Sequence, residues 1–245
     1  MSVHFIYDVS RDCALLEAEK TFSNLYDLIC AHGETEAAAW LEGDEEKSLT
    51  FNQLKRQVDN WSVALAEVFG TEGRVCISLD SCKEWFTLFW GLLRSGHDIL
   101  TIDASMSEDK VEKLMAECNC RAIVSGRSHR LSPDIRQALV SDFIDCPEIE
   151  SYTPVWGKDV ALCTSGTISD SRIFVYDEET ICYLALFTRK IHNENRLLID
   201  DCRFRTLAFL PFHHIFGFTI FIWSHFLGYT FVYLKDRSPL TKFLF

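Results

Sequence analysis

Between Arg74 and Gly126 the chain alternates short apolar runs with helical patterns: "RVCISLD", "SCKEWFTLFWGLLRSG", "DILTID", "DKVEKLMAEC" and "RAIVSG". The apolar runs lack polar alternation, as expected of strands buried on both faces. Strand, helix and strand in this rhythm require crossover connections, which parallel strands use and hairpins do not. The expected fold class is therefore α/β: doubly wound, mostly parallel sheets flanked by helices.

Helix ends are written into the sequence. Thr50 followed by Gln53 predicts a capping box. Leu54, Val58, Trp61, Leu65 and Val68 then form an apolar stripe that ends at Gly70. Arg94 and Gly96 suit a helix C-terminus, and Ser105 with Glu108 predicts a second capping box. Further on, "DVALCTSG" and "SRIFVYD" read as strands, followed by a helix from about Glu178 to Asn193. "RTLAFLP", a helix near Ile215 to Leu227, and "YTFVYLK" complete the pattern. The proline-containing stretch "DCPEIESYTPVWGK" has no periodicity. It divides the chain into a first α/β subdomain (1–145), a connector (146–158) and the start of a second subdomain (159–245).

The chain's 245 residues are 48% hydrophobic and can bury a substantial core. A net charge of −12 argues against nucleic acid as a partner, since phosphate neutralisation needs clustered Lys and Arg. A local anion site built from backbone N–H groups and one cation stays compatible with that charge. Ten cysteines include no C-x-x-C, so they read as reduced core thiols rather than a zinc site. With no secretory leader, a cytoplasmic location is expected. From Thr206 to Leu234 there is no Asp, Glu, Lys or Arg. Pro211, the His213-His214 pair, Gly217 and Gly228 break that run into strand, helix and strand, so no transmembrane segment is expected.

Common nucleotide and hydrolase fingerprints fail. There is no G-x-G for a dinucleotide fold, and Gly157-Lys158 lacks the upstream glycine of a P-loop. No G-x-S-x-G elbow or H-E-x-x-H is present. What remains is "CTSGTISDSR", between the strands that begin at Asp159 and end at Asp177. Thr164, Ser165 and Thr167 offer hydroxyls, Gly166 admits close backbone approach, and Arg172 could neutralise an anion in forked geometry. A plain polar hairpin turn explains the same residues, and by itself the loop does not decide between the two.

Four stretches in order give the chain a resemblance to the adenylate-forming, AMP-binding superfamily: acyl-CoA synthetases, luciferases and peptide-synthetase adenylation domains. "SLTFNQLKRQVDNWSVAL" resembles that family's T-Y-x-E-L helix, and "DSCKEWFTLFWGLLRSGHDILTID" its following helix–strand unit. "DVALCTSGTISDSRIFVYD" resembles the phosphate loop T-S-G-T-T-G-x-P-K, and "LPFHHIFGF" resembles L-P-x-F-H-x-x-G. Ile168, Ser169, Ser171 and Arg172 depart from the loop pattern after an intact T-S-G-T.

The resemblance implies a ligase that joins a carboxylate to ATP, releasing pyrophosphate, and passes the acyl group to a thiol such as CoA. Thr164, Ser165, Gly166, Thr167 and Arg172 would then hold the β- and γ-phosphates, with Mg2+ as the implied metal. His214 would be the catalytic-site histidine, beside the substrate carboxylate or shaping the acyl pocket. The family's later adenine-binding segment and catalytic lysine domain find no match before Phe245. The resemblance therefore covers an N-terminal portion, expected to be inactive alone and completed by a separate chain carrying the missing C-terminal half. No aromatic-Asp-x-Ser stands at "PFHHIFGF", which favours a fatty or aromatic carboxylate over an amino acid, whose ammonium would need that partner. The alternative is a non-catalytic remnant or a binding and scaffolding protein on the same fold.

Overall fold

The computed structural model describes residues 9–163, 172–194 and 204–234. Helices α1 (Val9–Ala18) and α2 (Phe22–Cys30) precede a hairpin of β1 (Glu36–Glu42) and β2 (Glu45–Thr50). Then come α3 (Phe51–Phe69), β3 (Arg74–Ser78), α4 (Trp85–Arg94), β4 (Asp98–Ile102), α5 (Glu108–Glu117), β5 (Cys120–Ser125) and β6 (Arg136–Leu139). After a 3-10 turn over Val140–Phe143 follow β7 (Asp159–Cys163), β8 (Ile173–Asp177), α6 (Glu178–Glu194), β9 (Arg205–Leu207), α7 (Ile215–Phe226) and β10 (Thr230–Tyr233).

Two sheets result. One has four strands in the order β2-β1-β10-β9; the other has six in the order β6-β5-β3-β4-β7-β8. All pairings are parallel except the β1–β2 and β7–β8 hairpins. The expected α/β class is found. Strand pairing crosses the 146–158 segment in both sheets, since β4 pairs with β7 and β1 with β10.

The four central strands of the six-stranded sheet, β5, β3, β4 and β7, are buried on both faces, with strict alternation, while the edge strands β6 and β8 are partly exposed. Val75, Ile77, Ile99, Val124, Val160 and Leu162 face the larger core, shared with the four-stranded sheet. Cys76, Leu100, Ile102, Ile123, Ala161 and Cys163 face a smaller core under α5. At the sheet's N-terminal edge Arg74 joins three strands: it bonds Asp159, lies 3.8 Å from Asp98 and donates to Cys118 O at 3.1 Å.

Between the two sheets lies α4, buried at all ten positions. Its rings meet every neighbour: Trp90 contacts Tyr26 of α2 at 5.1 Å, Trp85 contacts Phe221 of α7 at 5.1 Å, and Phe86 contacts His225 at 4.6 Å. Gly91 lets α3 approach, because an added Cβ would stand 3.1 Å from Leu65 Cδ1.

Local signals succeed and fail for identifiable reasons. The Thr50–Gln53 capping box is present in both directions. The Ser105–Glu108 box does not form. Ser105 instead donates its N–H and Oγ to Asp103 Oδ1 at 2.8 and 2.7 Å, and Ser107 becomes the N-cap. Glu108 is drawn away to accept from Arg130 N at 2.7 Å. The α3 stripe buries Phe69 and leaves Val68 exposed, as the 3.6-residue period drifts past the seven-residue spacing. Arg94 is no surface charge at a helix end. It is buried against Asp59 at 2.6 Å and stacks over Tyr26 and Trp156 at 4.8 and 5.4 Å. Its carbonyl accepts from Tyr152 Oη and Val155 N, which fastens the segment after residue 146 to α4.

Two buried histidines make the fold acid-sensitive. Burial holds His97 down at about 4 and His225 down at about 3. The unfolded chain protonates both near 6.5, so below that pH it binds more protons than the folded form and stability falls as pH drops. The loss continues until the folded-state values are reached. Urea unfolding should show about 2 kcal/mol lost per histidine between pH 7.5 and 5. His225→Leu should remove about 2 kcal/mol of the total loss; an unchanged pH slope would exclude His225 as a source.

Candidate functional site

Because β3, β4 and β7 are parallel, their C-terminal ends share one edge of the six-stranded sheet, where ligands of open α/β sheets bind. Thr101 of β4 pairs with Leu162 of β7, and Cys163 pairs with Ile173 across the hairpin. The polar loop therefore leaves and returns at this edge, with Arg172 at its returning root beside the end of β7. Thr164, Ser165, Gly166 and Thr167 lie outside the described residues.

The segment before α7 is tied to the same edge. Ser81, just beyond β3, donates Oγ to Leu210 O at 2.8 Å and accepts from Phe212 N at 3.0 Å. Thr101 Oγ1 donates to His213 O at 3.4 Å. Phe212 is buried as an anchor between Trp85, Phe221 and Phe231, with ring centroids 5.1–5.4 Å away. Gly217 permits the tight return: a Cβ there would stand 2.0 Å from Pro211 O.

This scaffold makes His214 the N-cap of α7, where Nδ1 accepts from Phe216 N at 3.4 Å. An accepting Nδ1 leaves the proton of the neutral ring on Nε2, which becomes a donor. His213 points elsewhere, with Nε2 3.9 Å from Asp103 Oδ2. Burial lowers the His213 pKa, while Asp103 works against that shift. Burial would raise Asp103, but the two bonds from Ser105 outweigh it and hold the carboxyl below its ordinary value. Of the phenylalanines around His214, Phe212, Phe218 and Phe221 are core, whereas Phe209 and Phe216 are exposed.

His214 and Arg172 thus belong to one sheet edge. Ser81, Thr101 and Asp103 were not evident as site residues in the sequence. Only the polar "DSCKE" directly after an apolar strand hinted at Ser81, since a parallel strand of this kind ends at the ligand-binding edge. The donors here, a guanidinium and an imidazole N–H, suit an anion. Asp80 and Asp103 supply the oxygen ligands Mg2+ prefers, although among the described residues no three His, Cys, Asp or Glu side chains converge on a metal position. Nine described cysteines are free. No described helix is long and apolar enough to cross a membrane.

Residues 30–245 match the family model described as AMP-binding enzyme. The chain belongs to the AMP-binding enzyme family. Several solved structures share its fold. The N-terminal subdomain of Klebsiella oxytoca NpsA superposes with a TM-score of 0.73 at 16% identity, over 91% of this chain and 58% of that one. The same subdomain in complex with 3-hydroxybenzoyl-AMSN gives 0.73 at 17% identity, over 91% and 56%. O-succinylbenzoate coenzyme A synthetase (MenE) from Bacillus subtilis, in complex with AMP, gives 0.69 at 15% identity, over 89% and 57%. The chain therefore spans less than two thirds of the length of these structures. No curated protein matches it in sequence.

The two hydrogen bonds of Ser81 make a sharp prediction. Ser81→Ala leaves the buried Phe212 N and the part-buried Leu210 O without that partner and should cost about 2 kcal/mol in urea unfolding. Amide exchange at Phe212 should accelerate more than exchange within β3. Uniform acceleration would mean that the serine does not act on the His214 segment in particular.

Proposed function

We propose that this chain is the N-terminal, substrate-gathering portion of an ATP-dependent acid–thiol ligase that activates a carboxylate as an acyl-adenylate. The observation that carries the reading is the convergence of both roots of the polar loop and the His214 cap on one sheet edge. Family membership supports adenylation as the chemistry of that edge.

In this reading the N–H groups and hydroxyls of Thr164, Ser165, Gly166 and Thr167, with Arg172, hold the β- and γ-phosphates of ATP. Mg2+, when bound, would neutralise phosphate charge, with Asp80 or Asp103 as available oxygen ligands. His214 directs Nε2–H toward a carboxylate oxygen. A carboxylate oxygen bonds to the α-phosphorus as the bond to pyrophosphate breaks, so the protein's task is mainly placement and charge neutralisation. The exposed Phe209 and Phe216 favour a fatty or aromatic acid. CoA or another thiol would accept the acyl group, and a separate chain would supply the remaining half. Reduced, buried thiols fit a cytoplasmic setting.

A second reading, a non-catalytic remnant, is favoured by one observation: Ile168 and Ser169 remove a hydroxyl and a glycine from the loop. Titration calorimetry with MgATP separates the two. The enzyme reading expects saturable binding that Arg172→Ala weakens about tenfold or more. It also expects carboxylate-dependent pyrophosphate exchange once the complementary half is added. A silent titration with no exchange across a carboxylate panel would leave the remnant.

A further inference from the structure

Helix α6 turns apolar side chains both inward and outward. Its inner face places Ile181, Cys182 and Ala185 in the core. Its outer face carries Tyr183, Phe187 and Ile191, which are 54%, 61% and 41% exposed. A helix with a single packed face ordinarily keeps its other face polar. Exposed apolar residues scattered singly are ordinary, but three at four-residue intervals form one continuous row.

The row borders a groove of about 710 Å³ that Glu17 and Lys20 line from the other side. Lys20 Nζ lies 4.8 Å over the Tyr183 ring, and Arg189 pairs with Glu17, so the end of α1 is held against α6. Charge differs between the two ends of the row. Lys20 stands at the Tyr183 end, whereas Glu194, three residues beyond Ile191, stands at the other.

This arrangement is complementary to itself. Phe187 is the midpoint, four residues from Tyr183 on one side and four from Ile191 on the other. Rows of four-residue spacing pack on each other by lying side by side. A two-fold axis beside Phe187 sets such a row against its own copy in the antiparallel sense. Tyr183 then meets Ile191 of the second copy, and Phe187 meets its equivalent. The same rotation carries Glu194 of the second copy to the Tyr183 end, where Lys20 lies. One residue of each sign therefore yields two opposite-charge pairs, as an isologous interface requires.

We infer that the outer face of α6 is a homodimer interface, in which a second copy of this chain packs antiparallel across Tyr183, Phe187 and Ile191. The inference does not rest on the acyl-adenylate reading, because none of these residues belongs to the loop edge.

Sedimentation equilibrium on the full chain at pH 7.5, over protein concentrations from about 1 to 100 μM, tests it. A reversible monomer–dimer equilibrium is expected within that range. Phe187→Glu, at an exposed position, should weaken association at least tenfold and leave the urea midpoint of the dilute chain unchanged. Lys20→Glu and Glu194→Lys should each weaken association about three- to tenfold. The double variant exchanges the two signs and should return to within about twofold of the wild type. A wild-type chain that stays monomeric throughout would overturn the proposal and leave the face to a different partner. A dimer that Phe187→Glu leaves intact, or charge variants whose effects add instead of cancelling, would also overturn it.

Discussion

Packing around α4 is the interaction on which everything else depends. A helix apolar on all sides must be surrounded, and "WFTLFWGLLR" is surrounded by α2, α3, α7 and the inner faces of two sheets. Each large side chain buried there contributes about 1.5–3 kcal/mol, and edge-to-face ring pairs add to it. Since α4 follows directly on the Asp80–Glu84 turn and precedes β4, fixing the helix also fixes the edge where Ser81 and Thr101 act. Core and site are therefore one mechanical unit.

Legibility followed locality. The Thr50–Gln53 box, the α3 stripe and the doubly buried strands depend on near neighbours, and the sequence displayed them. The β1–β2 hairpin stayed hidden because "EEKSLT" is a polar strand with exposed and half-buried positions, and because the partner completing β1 lies far away. Arg94 looked like a helix-terminal charge. Its actual role depends on Asp59, Tyr152 and Trp156, none of them periodic with it. The Ser105 box failed because Asp103, two residues upstream, offered a stronger charged acceptor.

The same rule divides the site. His214 and Arg172 were visible as members of motifs, one in "LPFHHIFGF" and one after "CTSGT". Ser81 was not, because its two bonds reach residues 129 and 131 positions away. Thr101 sits within an apolar strand and reaches the site through His213 O. A motif identifies the group that meets a ligand; the residues that aim that group are assembled by the tertiary fold.

The placement of β10 between β1 and β9 has a consequence for biosynthesis. Glu36 and Thr230, which meet at that junction, are 194 residues apart. At ordinary translation speeds the first hairpin emerges from the ribosome roughly ten to forty seconds before its central partner. During that interval Ala37, Ala38 and the aromatic side chains of α2 have no sheet to cover them. The first hairpin thus waits, with one edge unpaired, until β10 has been made.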